Sequence, residues 1–141
     1  MDIEKKSITL RSNKNEIINS ELFLLDESPD NEDMVVLGIV FGDRCIKIEN
    51  DNFFDALKEL RKVLEKENIQ IMCNGAAKNV FPSPMQFSMG NTRKAYKLSY
   101  GKQATLEDMV DIFECEDGLE FVGVDEQLDF YNKWVNSIIK R

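Results

Sequence analysis

The strongest constraint on the fold is the uninterrupted apolar run at residues 34–41 (MVVLGIVF). A short run of this kind, dominated by β-branched and large apolar side chains, is typical of a buried β-strand. The turn-forming residues Gly42-Asp43-Arg44 follow it, and residues 45–48 (CIKI) then return as a second strand. The acidic segment at 26–33 (DESPDNED) precedes the run and predicts an exposed loop. The order of these segments predicts an antiparallel hairpin.

Further strands are predicted where polar and apolar residues alternate or where apolar runs are short. They cover residues 7–11, 21–25, 69–73, 109–115 and 119–124, with extended segments at 85–88 and 95–100. Asp117-Gly118 is a hairpin-turn dipeptide, so the last two strands are expected to pair. Because side chains alternate along a strand, Asp111 and Glu120 should then face solvent, opposite their apolar neighbours.

Residues 52–68 form the clearest predicted helix. Its apolar stripe has spacings of four, three and four residues, and consists of Phe53, Leu57, Leu60 and Leu64. Asp51 or Asn52 should cap its first turn. Its charged residues, Arg61 among them, are expected on the solvated side.

A second helix is predicted at residues 126–139, with Asp125 as its cap. Its apolar stripe is expected to consist of Leu128, Tyr131, Val135 and Ile138. These elements together predict one α+β domain spanning residues 1–141, in which two amphipathic helices pack on a mainly antiparallel sheet.

Composition excludes many kinds of catalytic site. The 141 residues contain no histidine, which excludes Ser–His and Cys–His nucleophiles, a histidine base and histidine-containing zinc sites within the chain. The three cysteines are too few for an all-cysteine zinc site and have no disulfide spacing. Each is expected to be a small core residue, and Cys45, beside Arg44 and Lys47, is the best candidate for a reactive thiol. These absences exclude many classes of enzyme without identifying a function, and we predict that the chain is not an enzyme.

Cofactor motifs are also missing. The phosphate-loop glycine and Ser/Thr positions around Gly101-Lys102 are not matched, and the acidic loop at 26–33 lacks the glycine and glutamate of a calcium-binding loop. We therefore expect no cofactor and no metal. No apolar run has membrane-spanning length, and residues 1–6 lack the apolar core of a signal peptide, so a cytoplasmic protein that does not enter membranes is predicted.

The distribution of charge is the most informative feature for function. The net charge is −8, but residues 107–129 hold ten acidic residues and no Lys or Arg, whereas the rest of the chain has 18 basic and 16 acidic residues. This acidic segment predicts a surface that repels nucleic acid and attracts a basic protein. The partner-binding residues predicted in it are Asp108, Asp111, Glu114, Glu116, Asp117, Glu120, Asp125, Glu126 and Asp129.

A basic segment lies immediately upstream, at residues 88–97. In one interpretation, Gly90 lets backbone N–H groups converge while Arg93 and Lys94 supply charge to a small anion, which would make this a ligand-binding or enzymatic domain. In the other, the cations neutralise the acidic segment beside them. The second interpretation is favoured, because four cations in the fifteen residues 88–102, with Lys102 as the fourth, are common.

The stretch at residues 87–113, containing FSMGNTRKAYKL and GKQATLEDMVDIF, resembles bacterial immunity proteins of polymorphic and contact-dependent growth inhibition systems. The resemblance implies a small acidic domain that binds and neutralises one cognate toxin. Many such toxins are nucleases, whose basic surface would complement the acidic segment. We therefore expect a stoichiometric inhibitor, with Phe113, Phe121 or Tyr131 as apolar anchors. Self-association into a homodimer stays open.

Overall fold

The computed structural model describes residues 3–88 and 91–139. Its strands and helices, in chain order, are β1 (Glu4–Ser12), β2 (Ile17–Leu25), β3 (Val35–Phe41), β4 (Arg44–Asn50), α1 (Phe53–Glu65), β5 (Ile69–Met72), β6 (Val80–Phe81), α2 (Pro84–Ser88), β7 (Lys94–Lys97), β8 (Met109–Asp111) and α3 (Val124–Ile139). Single 3-10 turns occupy Asn74–Ala76 and Leu106–Asp108. These elements confirm the predicted α+β class.

A five-stranded antiparallel sheet, ordered β4-β3-β2-β1-β5, forms the larger layer of the fold. The predicted hairpin is confirmed as β3 and β4, which are joined at Gly42, where the backbone φ is +59°. Alternate residues of β1 to β4, such as Leu10, Leu22 and Leu37, are fully buried beneath α1. The hydrophobic core therefore lies between one face of this sheet and the apolar stripe of α1.

A second sheet, ordered β6-β7-β8, packs beyond the other side of α1. Phe54 of α1 makes edge contacts with Phe81 and Phe87, with ring centroids 5.2 and 5.9 Å apart. Phe53 makes a similar contact with Phe113 at 5.8 Å. Aromatic pairs of this kind add to the stabilisation from apolar burial and join the two parts of the core.

The prediction for the helix at 52–68 was correct in position and capping. The Asn52 side chain accepts a hydrogen bond from the Asp55 N–H, so Asn52 is the N-cap. The helix ends at Glu65, earlier than predicted, and Asn68 takes a left-handed φ of +60° that reverses the chain into β5. The prediction that Arg61 lies on the solvated side of the helix is wrong. Arg61 is only 2% exposed, because the 3-10 turn at Asn74–Ala76 and the start of α3 cover that side of the helix.

The predicted hairpin of residues 109–115 with 119–124 is wrong. The first strand ends at Asp111, and the second segment makes only an isolated bridge, between Ala77 and Phe121. Backbone groups of the 3-10 turn compete for the pairing: the Asn74 N–H donates to the Glu114 carbonyl, and the Val122 N–H donates to the Ala76 carbonyl. Residues 112–122 therefore follow this turn instead of folding back on themselves.

Residues 85–88, predicted to be extended, belong to the short helix α2. Ser83 and Gln86 explain the difference, because the Ser83 hydroxyl accepts from the Gln86 N–H and the Gln86 side chain accepts from the Ser83 N–H. This reciprocal arrangement starts a helix directly at Pro84, a residue suited to a first helical turn.

The last helix also differs from the prediction at its start. It begins at Val124, whose N–H donates to Glu65 Oε1 at 2.8 Å, so Asp125 lies in the first turn and is not the cap. Its fully buried residues are Val124 and Gln127, whereas Leu128 is 47% exposed. Among the residues that the structure describes, no helix is both long and apolar enough to cross a membrane.

Candidate partner-binding surface

The acidic segment at 107–129 starts in the second 3-10 turn, passes through β8 and ends in α3. Its irregular middle is held by backbone hydrogen bonds rather than by a hairpin. Asn74 makes contacts at two points, donating its side-chain N–H to the Asp111 carbonyl and accepting from the Glu116 N–H, each at 2.9 Å. The Lys78 N–H donates to the Glu120 carbonyl at 2.8 Å. The segment is thus fixed to the fold before any partner binds.

Asp111, predicted to face a partner, instead makes its contacts within the fold. Its carboxylate lies 3.4 Å from Arg93 Nη2 and 3.9 Å from Lys94 Nζ, and it accepts from the Phe113 N–H at 2.9 Å. The strand register explains the pairing, because Lys94 of β7 is directly opposite Asp111 of β8. With its side chain 18% exposed, Asp111 has little surface to offer another protein.

Arg93, the predicted anion ligand, also makes its contacts within the fold. It donates to both Glu4 carboxylate oxygens, at 2.6 and 3.2 Å, and lies over the Phe53 and Phe113 rings. Its hydrogen bond holds the pKa of Glu4 below its ordinary value. Gly90, the third part of the predicted anion site, lies outside the described residues. The contacts of Arg93 and Lys94 favour the interpretation in which these cations neutralise neighbouring acids.

Four more of the predicted residues form ion pairs on the surface. The pairs are Glu114 with Lys6 at 2.6 Å, Glu116 with Lys97 at 3.5 Å, Glu126 with Lys78 at 3.6 Å, and Asp129 with Lys133 at 3.0 Å. The hydrogen bond from Lys6 holds the pKa of Glu114 below its ordinary value. Exposed pairs of this kind contribute little to stability, so they can open when a partner brings its own cations.

The remaining predicted acids have no ion pair with the described part of the chain. Asp108 caps the 3-10 turn through Thr105, whose N–H donates to its carboxylate at 2.9 Å. Asp117, Glu120 and Asp125 are exposed, as is Glu107, and no described Lys or Arg nitrogen lies within 4.0 Å of their carboxylates. These four exposed residues, with Asp108, carry the negative charge of the segment that no described cation pairs.

The predicted apolar anchors have different environments. Phe113 is 2% exposed and belongs to the core, whereas Phe121 and Tyr131 are partly buried. Tyr131 stacks on Phe81 with centroids 4.0 Å apart and on Trp134 at 6.0 Å. These three rings and Tyr96 line a groove of about 270 Å³ between α3 and the small sheet. The groove was missed at the sequence level, because its aromatic residues come from segments far apart in the chain.

The structure brings together a buried polar cluster that the sequence did not indicate. Arg61 donates to the Gly75 and Val122 carbonyls at 3.2 and 2.8 Å and to Gln127 Oε1 at 2.6 Å. Gln127 Nε2 lies 2.9 Å from the carbonyls of Gly75, Ala77 and Val80. Burial lowers the pKa of Arg61. A helical arginine beside charged neighbours carries no sequence signal for burial, so only the tertiary structure reveals the cluster.

The cysteines differ in exposure, which gives a testable prediction. Cys73 is fully buried, and burial raises the pKa of its thiol to about 12, whereas Cys45 and Cys115 are exposed. Because the thiolate is the reactive form, we expect Ellman's reagent at pH 8 to titrate two thiols in the native protein and the third only after denaturation. The contradicting result would be that the native wild type reacts rapidly at one more thiol than the native Cys73→Ala variant.

No group of three or more Cys, Asp or Glu side chains in residues 3–88 and 91–139 has an arrangement that could hold a metal ion. No protein-family model matches the chain, and the curated proteins include no match to it.

Proposed function

We propose that this chain is a stoichiometric protein inhibitor of the immunity type, which binds a basic protein toxin through its acidic segment. The observation that carries the proposal is the set of exposed acids without ion pairs, Glu107, Asp117, Glu120 and Asp125, on a segment fixed by Asn74 and Lys78. A backbone that is already held in place loses little conformational freedom on binding, which favours affinity.

The proposed mechanism is occlusion without chemistry. A nuclease attracts a polyanion with a basic surface, so a protein that presents carboxylates on an ordered backbone can use the same attraction to associate rapidly. The Lys78 N–H donates to the backbone carbonyl of Glu120, and the Lys78 ammonium pairs with Glu126 at the start of α3. A toxin lysine or arginine approaching this point can replace Lys78 as the partner of Glu126.

Capture and co-expression test the proposal. The tagged chain is incubated with native lysate and washed at low and high salt, and each retained basic polypeptide is then expressed alone and together with this chain. We expect one that arrests growth alone and is harmless in the combination. If no retained polypeptide is toxic, or none is neutralised, the proposal is wrong.

A matched pair of charge-reversal variants then tests the surface. Asp117→Lys with Glu120→Lys should weaken toxin binding about 10- to 100-fold and reduce its salt dependence. The control, Glu32→Lys with Asp33→Lys, changes the net charge equally in the exposed loop between β2 and β3. We expect the control to bind nearly as tightly as wild type. Equal affinities and salt slopes for the two variants would contradict the acidic interface, even if the chain neutralises a toxin.

A further inference from the structure

The face of the large sheet opposite α1 is mostly polar along β1 and β4 but has an apolar centre on β2 and β3. In an antiparallel sheet with one covered face, the other face is normally polar. Here Phe23, Leu25, Val36 and Val40 all lie on it, and Val36 is only 2% exposed although it does not belong to the core cluster. A cavity of about 370 Å³ opens on this face, with walls that are almost entirely apolar. A contiguous apolar patch of this kind typically marks an interaction site.

The register of the strands arranges this face in two adjacent rows. The first row runs Lys5, Phe23, Gly38 and Lys47, across β1 to β4. Phe23 leans over Gly38, where an added Cβ would lie 2.9 Å from Phe23 Cδ2. The second row runs Leu25, Val36 and Glu49. The missing side chain at Gly38 therefore makes room for the Phe23 ring at the apolar centre of the face.

Charges of both signs lie side by side at the edge of the patch. Lys47 and Glu49 are two residues apart on the edge strand β4, so they point to the same face about 7 Å apart. Both are exposed, and Lys47 has no carboxylate within 4.0 Å in residues 3–88 and 91–139. Glu49 accepts from the Ser28 hydroxyl through Oε2, which leaves Oε1 available.

We infer that this face is an isologous contact between two copies of the chain. The two-fold axis lies in the plane of the contact, parallel to the two rows and midway between them. It places Lys47 of each copy against Glu49 of the other. The same axis places Phe23 of each copy against Leu25 of the other. The surface is thus complementary to itself in charge around an apolar centre, as suits an isologous dimer. The two sheets pack face to face, as in a β-sandwich.

This contact is independent of the proposed inhibitor function. Lys6 and Glu114 form an ion pair, and Lys6 lies next to Lys5 on β1, so it points to the opposite face of the sheet. The acidic segment therefore lies on the helix-covered side. A dimer that uses the Phe23 face leaves the acids of both copies accessible.

Sedimentation velocity of the full chain, over a hundredfold range of concentration, tests the inference. We expect a concentration-dependent monomer–dimer equilibrium in the wild type. Phe23→Lys should raise the dimer dissociation constant about 30-fold or more, because it places a charge at the centre of the contact. The control, Leu128→Lys, changes an apolar residue that is 47% exposed on α3 and should leave the equilibrium unchanged. A wild type that stays monomeric throughout overturns the inference.

A charge swap keeps the test decisive if Phe23→Lys disturbs folding. Lys47→Glu alone and Glu49→Lys alone should each raise the dissociation constant about tenfold, because each creates two like-charge pairs across the axis. The double variant restores opposite charges in both pairs, so it should return to within about threefold of the wild type. Failure of the double variant to recover, with both single variants weakened, would contradict this axis.

Discussion

Replacing Arg61 with methionine is expected to lower the free energy of unfolding by about 3 kcal/mol. Arg61 is 2% exposed, and its guanidinium hydrogen bonds connect α1 to the Val122 carbonyl and the Gln127 side chain. Methionine fills similar space but donates no hydrogen bond, so both acceptors would be buried without a donor. Leaving each such group unsatisfied costs roughly 1 to 3 kcal/mol. Urea unfolding followed by circular dichroism measures the change.

Lys62→Met is the matched control for Arg61→Met. It makes the same kind of change at the next position of α1, where the side chain is exposed, and should alter the free energy of unfolding by less than about 0.5 kcal/mol. A lysine at position 61 keeps the charge but cannot reach both acceptors, so Arg61→Lys should also be destabilising. If the free energy of unfolding of Arg61→Met lies within about 1 kcal/mol of the wild-type value, the cluster does not hold α1 and the start of α3 together.

The second large effect is expected at Gly75. An added Cβ there would lie 2.5 Å from Leu57 Cδ2, 3.0 Å from Ile112 Cβ and 3.2 Å from the Ile112 carbonyl oxygen. The Leu57 side chain can rotate, but the Ile112 Cβ and backbone cannot move without displacing residues 110–113. Gly75→Ala should therefore lower the free energy of unfolding by about 2 to 3 kcal/mol, again measured in urea.

Gly38→Ala serves as the comparison for Gly75→Ala. Its added Cβ would lie 2.9 Å from Phe23 Cδ2, but that ring belongs to a partly exposed side chain, which can turn away in the monomer. We expect a loss below about 1 kcal/mol. Equal losses at the two glycines would show that the crowding around Gly75 relaxes as easily as the crowding on the open face.

Sequence patterns predicted the elements whose stability is local. The apolar run of β3, the turn at Gly42 and the stripe and Asn52 cap of α1 each depend on residues close in the chain, and all are confirmed. The predicted hairpin across Asp117-Gly118 failed because the decisive partners, Asn74 and Ala76, come from about 40 residues earlier. A turn dipeptide indicates where a chain can reverse, but competing backbone partners decide whether it does.

The charge pattern located the acidic segment, but it could not distinguish acids that pair within the fold from acids that stay exposed. Asp111 and Asp117 look equivalent in the sequence, yet Asp111 is held by Arg93 and Lys94, whereas Asp117 is exposed. The difference arises from the register of β7 against β8, which no local pattern encodes. The burial of Arg61 and the aromatic groove beside α3 were missed for the same reason.

The long connections around Arg61 have a consequence for the order of folding. Strands β1 to β4 pair with their neighbours in sequence, so their loops close at small entropic cost. The contacts from Arg61 to Val122 and from Glu65 to Val124 span 61 and 59 residues. Forming contacts of such high sequence separation requires the closure of long loops, which costs more entropy. We therefore expect β1 to β4 to pair first and the C-terminal half to dock afterwards. The hydrogen bonds of the Arg61 guanidinium would then be among the last contacts to form.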